Sequence, residues 1–213
     1  VAISTEIQAR IRRYYGRESV IVTPPVDTGR YQRVARNREK GGGNYYLIVS
    51  RLIPYKRIDL AVRAFNQLGL PLVIAGSGRD RKALEAMAEP NITFLGYVPD
   101  AELPGLLAGC RAFIFPGRED FGMTPVEAQA AGRPVIAYGA GGALDTVIEG
   151  VTGAFFYEQT PEALMEAVLT FDVDNVDVEA CRSNAERFSV ARFRREIMAL
   201  IEDTLDHASP VPI

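Results

Sequence analysis

The sequence predicts an α/β protein built on a doubly wound parallel sheet of about six strands, with helices on both faces. Three observations carry this. Six short apolar runs follow Gly43: "YYLIVS" (45–50), "LPLVIAG" (70–76), "ITFLG" (92–96), "AFIFP" (112–116), "PVIAY" (134–138) and "GAFFY" (153–157). Helical patterns fill the gaps, at 58–68, 79–88, 100–109, 124–131 and 143–149. The runs are continuously apolar rather than alternating, as strands buried on both faces require.

The remaining elements are read in chain order. "STEIQARIRRYYG" reads as a helix, with Ser4 as cap and Gly16 as stop. "SVIVTPPV" reads as a short strand closed by prolines. "DTGRYQRVARNREKGGG" has no strong period, ends in three glycines and reads as a linker. Helical stretches at about 177–188 and 190–206 close the chain. The expected organisation is residues 1–43 as the end of a preceding domain and linker, 44–190 as the main α/β domain, and 191–213 as a terminal helix and tail.

Composition narrows the function. The 213 residues are 47% hydrophobic and 24% charged, the profile of a globule with a real core. No apolar stretch approaches the ~18–20 residues of a membrane helix, and no charged segment precedes an apolar run as in a signal peptide. Cys110 and Cys181 are isolated, so a reducing, cytoplasmic setting without a disulfide framework is expected. The only histidine, His207, stands beside the terminal "ASPVPI", which argues against a histidine catalyst or a multi-histidine metal site. Net charge is -3, but residues 1–40 carry +5 and the rest -8. The basic start reads as a solvated face and linker, or as a contact with an anionic membrane surface. The acidic body disfavours nucleic acid.

Open sheets of this kind bind ligands outside the carboxyl ends of their strands, so each strand-to-helix junction is a candidate site. "EDFGMTPVE" (119–127) places two carboxylates, Glu119 and Glu127, on either side of a helix start. Thr124, Pro125 and Glu127 suit the cap, N1 and N3 positions of a capping box, which accounts for Glu127 without a ligand. It leaves Glu119 unexplained. First-turn side chains point back toward the helix N-terminus, so both carboxylates are expected to face one crevice. The backbone of Phe121, Gly122, Met123 and Thr124 leads into that helix and forms an anion site. Carboxylates beside an anion bind neutral hydroxyls instead. Together these features suit a phosphate core flanked by sugar hydroxyls. "SRLIPYKRID" supplies Arg51 and Lys56, read as a phosphate clamp or as two solvated cations. Gly76 and Gly78 in "AGSGRD", like Gly141 and Gly142, either admit a ligand close to the backbone or serve a turn alone.

Three other readings fail. Gly139-Ala-Gly141 and Gly76-Ser-Gly78 begin like dinucleotide fingerprints but lack the third glycine, at Leu144 and Arg81. "DVD" (172–174) is an acidic loop between helices rather than a metal pair. A glycosidase also uses paired carboxylates but has no need of Arg51 and Lys56.

Taken together, "VSRLIPYKRIDLAVRAF", "VIAGSG", "FLGYVPDAEL" and "FPGREDFGMTPVEAQAAGRPVIAYGAGGALDTVIEGVTGAFF" resemble the C-terminal half of family 4 retaining glycosyltransferases of the two-Rossmann (GT-B) architecture, over roughly residues 45–170. E-x7-E alone is a weak sign; in order with R-x4-K and the glycine loops it is specific. The resemblance implies a Rossmann-like domain that binds a nucleotide-sugar donor. Arg51 and Lys56 would hold the diphosphate, Glu127 the ribose hydroxyls and Glu119 the transferred sugar. Phe121 to Thr124 would touch sugar and phosphate, and Tyr97–Val98 would lie by the base. It also implies metal-independent chemistry, with no cofactor besides the donor. The glycan or lipid-linked acceptor would bind an N-terminal domain that precedes this sequence, so that the fragment alone is inactive, and peripheral contact with the inner face of the membrane is part of the same picture. The stretch from "EDFG" to "LDTV" looks closest to bacterial mannosyltransferases of polysaccharide assembly, which favours GDP-mannose over a UDP-sugar. Asp145 departs from the glutamate many relatives carry there. The alternatives are a sugar-nucleotide epimerase of the same fold and a non-catalytic nucleotide-sugar-binding module.

Overall fold

The structure, a computed structural model, describes residues 1–35 and 43–206. His207, the "ASPVPI" tail and the basic Arg36, Arg38 and Lys40 lie outside the described residues. The elements run α1 (Thr5–Tyr15), α2 (Thr28–Ala35), β1 (Tyr46–Val49), α3 (Ile58–Leu68), β2 (Leu72–Ala75), α4 (Arg81–Met87), β3 (Ile92–Gly96), α5 (Leu103–Gly109), β4 (Phe113–Phe115), α6 (Met123–Ala130), β5 (Val135–Tyr138), α7 (Ala143–Thr146), β6 (Gly153–Phe156), α8 (Pro161–Thr170), α9 (Val178–Glu186) and α10 (Val190–Asp206). A 3-10 turn, Pro54–Lys56, precedes α3.

All six predicted strands form, and all pair in parallel in the order β3-β2-β1-β4-β5-β6. The order reverses between β1 and β4, which opens a crevice at the carboxyl ends of those strands. Alternation along each strand splits the core in two. Tyr46, Ile48, Ile74, Ile114 and Ile136 face one side, where Phe65 and Leu60 of α3 and Leu164 of α8 cover them. Leu47, Phe113, Phe115, Val135 and Ala137 face the other, under Leu107 of α5 and Val126 of α6, with Tyr31 and Phe188. Phe65 is fully buried and meets Tyr46 edge-on at 5.1 Å.

Near its start the chain departs from expectation. α1 forms as read: the Ser4 hydroxyl accepts from Ile7 N at 3.1 Å, and Gly16 ends the helix in the left-handed region, φ 62°. "SVIVTPPV" is not a strand. It makes only single bridges, Ala2 with Ile21 and Val26 with Ser189, because Pro24 and Pro25 lack the N–H groups that a ladder needs. Part of the expected linker is helical. α2 is too short to show a period, yet it buries Tyr31 in the second core. α8 was also not anticipated. Its start is marked by Thr160, whose hydroxyl accepts from Ala163 N at 3.2 Å, followed by Pro161 at N1. α10 has no fully buried residue, and Met198, Ile201 and Leu205 are exposed along it. Among the described residues no helix is long and apolar enough to cross a membrane.

Several buried polar groups are paired, although the Ser19 hydroxyl and the Nε atoms of Arg111, Arg133, Arg182 and Arg192 find no partner. Gln129 donates to the carbonyls of Pro125 and Thr146 and accepts from Asn184, which ties α6, α7 and α9 together. Asp174 of the acidic loop pairs with Arg111 at 2.5 Å. Burial pushes both cysteine thiols up to about 12, so neither is poised to react.

Candidate functional site

The crevice at the strand-order reversal holds a cavity of about 330 Å³. Val49, Ser50 and Arg51 after β1, Gly76 and Ser77 after β2, Tyr97 and Val98 after β3, and Glu119 after β4 line it, with Lys56, Asp100 and Thr124. Backbone packing fixes these loops. Gly76, at φ 129°, lies so close to the first loop that an added Cβ would stand 1.8 Å from the Ser50 carbonyl oxygen. At Gly78 it would stand 2.2 Å from the oxygen of Leu52, whose N–H donates to the Ser77 carbonyl at 2.9 Å. These two glycines therefore bring backbone against backbone. Gly76 also lines the cavity, and Gly78 does not.

Lys56 ends the 3-10 turn, and Arg57 follows in the left-handed region, φ 53°, the one non-glycine residue among those described to do so. That conformation turns the chain into α3. Gly117 backs the turn, since a Cβ there would approach the Lys56 Cα at 2.9 Å. The Lys56 Nζ reaches Glu119 Oε1 at 2.5 Å, and the two side chains are only 12% and 21% exposed. It also lies 5.1 Å from the centre of the Tyr55 ring. Arg51 donates to the Tyr55 hydroxyl at 2.9 Å and is otherwise open to solvent. Glu119 is held through its backbone: its carbonyl accepts from Gly142 N at 2.8 Å, and a Cβ on Gly141 would stand 2.3 Å from that carbonyl oxygen. Gly141 and Gly142 thus latch one loop to another.

The capping box does not form. Gly122, at φ 84°, takes the cap position, and α6 starts at Met123. An added Cβ on Gly122 would meet the Phe115 ring at 2.8 Å, so only glycine fits there. Thr124 becomes the second helical residue and Pro125 the third, where a missing N–H still costs nothing. Glu127 is carried a full turn into the helix, too far to reach back to the cap N–H. It faces Tyr31 of α2, which donates a hydrogen bond to it. Burial raises the Glu127 pKa above the usual carboxylate range; the Tyr31 hydrogen bond and Arg30 oppose the shift, and Asp100 adds to it. Tyr31 is in turn pushed up by burial and by Glu127. Of the residues expected around this helix only Thr124 lines the cavity; Phe121, Gly122, Met123 and Glu127 do not.

Sequence reasoning missed Ser50, Ser77, Asp100 and Tyr31. Ser50 and Ser77 directly follow strand ends, the positions that the sheet rule already singles out. Asp100 was read as a helix start and Tyr31 as linker. Asp145 is explained: it accepts from the N–H and hydroxyl of Thr5 at 2.8 and 2.7 Å and anchors α1. Arg10 meets Asp120 at 2.9 Å, and Arg118 meets Glu6 at 2.7 Å. Within the basic start Arg10 is thus already paired, and Arg12 meets Glu18 at 3.4 Å. Among the described residues no group of three or more His, Cys, Asp or Glu could hold a metal ion.

The sequence profile of the glycosyl transferases group 1 matches residues 32–188. The chain belongs to this family. Among group 1 relatives, the GDP-mannose-dependent alpha-mannosyltransferase of Mycolicibacterium smegmatis is 36% identical over 76% of the chain and 42% of that protein. The GDP-mannose-dependent alpha-(1-6)-phosphatidylinositol monomannoside mannosyltransferase of the same organism is 31% identical over 78% of the chain and 50% of that protein. The chain spans about half the length of the curated relatives it matches. Among solved structures, Anabaena HepE in complex with UDP-glucose superposes with a TM-score of 0.80 at 23% identity, over 95% of the chain and 63% of HepE. That likeness concerns the fold, a Rossmann-like group 1 domain.

Proposed function

We propose that this chain is the donor-binding half of a retaining glycosyltransferase. The whole enzyme would transfer a hexose from a nucleotide sugar to a glycan or lipid-linked acceptor held by the part of the protein outside this chain. One observation carries the reading: two cations, Arg51 and Lys56, and two carboxylates, Glu119 and Asp100, converge in a cavity at the strand-order reversal, with Lys56 touching Glu119. Arg51 and Lys56 hold the diphosphate and offset the charge that grows on it as the glycosidic bond breaks. Glu119 accepts hydroxyls of the transferred sugar. Glu127 takes the ribose hydroxyls once the donor reaches the start of α6. Tyr97 and Val98, at the cavity rim, lie by the base, and the backbone from Phe121 to Thr124 approaches sugar and phosphate. The names of the two mannosyltransferase relatives favour GDP-mannose as donor. Exposed Arg13, Tyr14 and Arg17 at the end of α1 support peripheral contact with an anionic membrane, at the cytoplasmic face where nucleotide sugars are held.

Calorimetric titration of the chain with GDP, UDP and ADP tests the reading. At least one is expected to bind, and Arg51→Ala weakens it by roughly 1.5–3 kcal/mol, or about 10–150-fold, the range of a charged hydrogen bond. Absence of binding to all three, or equal affinity in the variant, overturns it.

A further inference from the structure

The Lys56–Glu119 pair has a consequence for selectivity that rests on the donor-binding reading above. Of the two cavity cations, Arg51 is bonded to a neutral hydroxyl, that of Tyr55, whereas Lys56 is in contact with a carboxylate at 2.5 Å. Both partners stand on fixed backbone. Gly117 packs against the turn that carries Lys56, and Gly142 holds the Glu119 carbonyl. Each side chain is largely shielded from solvent, so the pair is weakly screened. A diphosphate entering this cavity must take Lys56 from Glu119, and it then lies beside a carboxylate that has lost its counter-ion. Asp100, on the same cavity wall, adds to the negative charge. A ligand that also carries sugar hydroxyls removes this penalty. A carboxylate only accepts hydrogen bonds, and hydroxyls donate them.

We propose that Glu119 is a specificity-determining residue which competes with phosphate for Lys56, so that the cavity holds a nucleotide sugar more tightly than the bare nucleoside diphosphate. With the sugar present, Glu119 turns to the hydroxyls and Lys56 to the phosphates, and both members of the pair are met. With the sugar gone, Glu119 reclaims Lys56 and the spent diphosphate is weakly held. The competition favours departure of that product after transfer.

The test is a pair of titrations on the 213-residue chain, GDP against GDP-mannose and UDP against UDP-glucose, in wild type and Glu119→Gln. Glutamine keeps the size and an accepting oxygen but removes the charge. The expected result is a gain of about tenfold in diphosphate affinity, with no gain for the nucleotide sugar, so that the ratio between the two collapses. In a Lys56→Gln background the same Glu119→Gln change gains nothing for the diphosphate, because the contested cation is gone. Matching far-ultraviolet circular dichroism establishes that the variants are folded. The proposal is overturned if folded Glu119→Gln binds the diphosphate no more tightly than wild type, or if the gain persists without Lys56. A wild-type chain that binds neither ligand of either pair overturns the donor-binding reading itself, a separate outcome.

Discussion

Glu127 illustrates what one residue's surroundings decide. On sequence grounds it is the reaching carboxylate of a capping box; in the fold it is a half-buried group against Tyr31. Its pKa is raised from the ordinary 4.5, mainly by burial. The folded protein therefore binds a proton there more readily than the unfolded chain does. Between 4.5 and the raised value the native state holds the extra proton, and stability falls as pH rises through that window. Glu127→Gln removes the liability. In urea titrations across a pH series the variant should gain on wild type as pH climbs above 4.5, with the gap closing at the acid end. A gap that stays constant with pH contradicts the assignment. Lys56 and Glu119 show the opposite case, two charges whose pairing was not foreseen although each was singled out separately.

At the scale of elements, two Thr-Pro pairs teach the same lesson. "MTPVEAQA" and "QTPEALME" look alike, and each offers threonine as cap and proline as N1. The second behaves so: Thr160 is extended, φ -120° and ψ 150°, and accepts from Ala163 N. In the first, Gly122 reaches a left-handed φ that threonine avoids and so starts the helix early. Thr160→Ala should cost about 1 kcal/mol of stability in urea unfolding, whereas Thr124→Ala should cost only a few tenths. Equal losses would show that the cap assignment is wrong. The six strands and most helices were legible because buried parallel strands leave unbroken apolar runs that length alone marks out. α2 was not legible. Its eight residues bury one large side chain, Tyr31, and its role is set by contact with α5, α6 and α9, distant in sequence. The site was legible in part for the same reason. Arg51, Lys56, Gly76, Tyr97, Val98 and Glu119 all follow strand ends, which the sheet rule marks. Asp100 and the Tyr31–Glu127 bond depend on packing that no local pattern encodes.

For the whole molecule, the sheet order matters most. The reversal between β1 and β4 brings loops 50–56, 76–77, 97–100 and 119–124 to one rim, although they span more than seventy residues of chain. α1 is tied to the same rim through Asp145, Asp120 and Arg118, so it braces the site loop. The second core reaches up to this rim through Val49 and Phe121. On the donor-binding proposal this rim, and no other surface, holds a nucleotide sugar. Amide chemical shifts of the isotopically labelled chain, followed while GDP-mannose or UDP-glucose is added, test it most directly. Saturable shifts concentrated at Ser50, Arg51, Gly76, Ser77, Tyr97 and Glu119 are expected. Shifts centred instead on the acidic groove between Glu158 and Glu166, or no saturable shifts with either donor, would contradict the proposal.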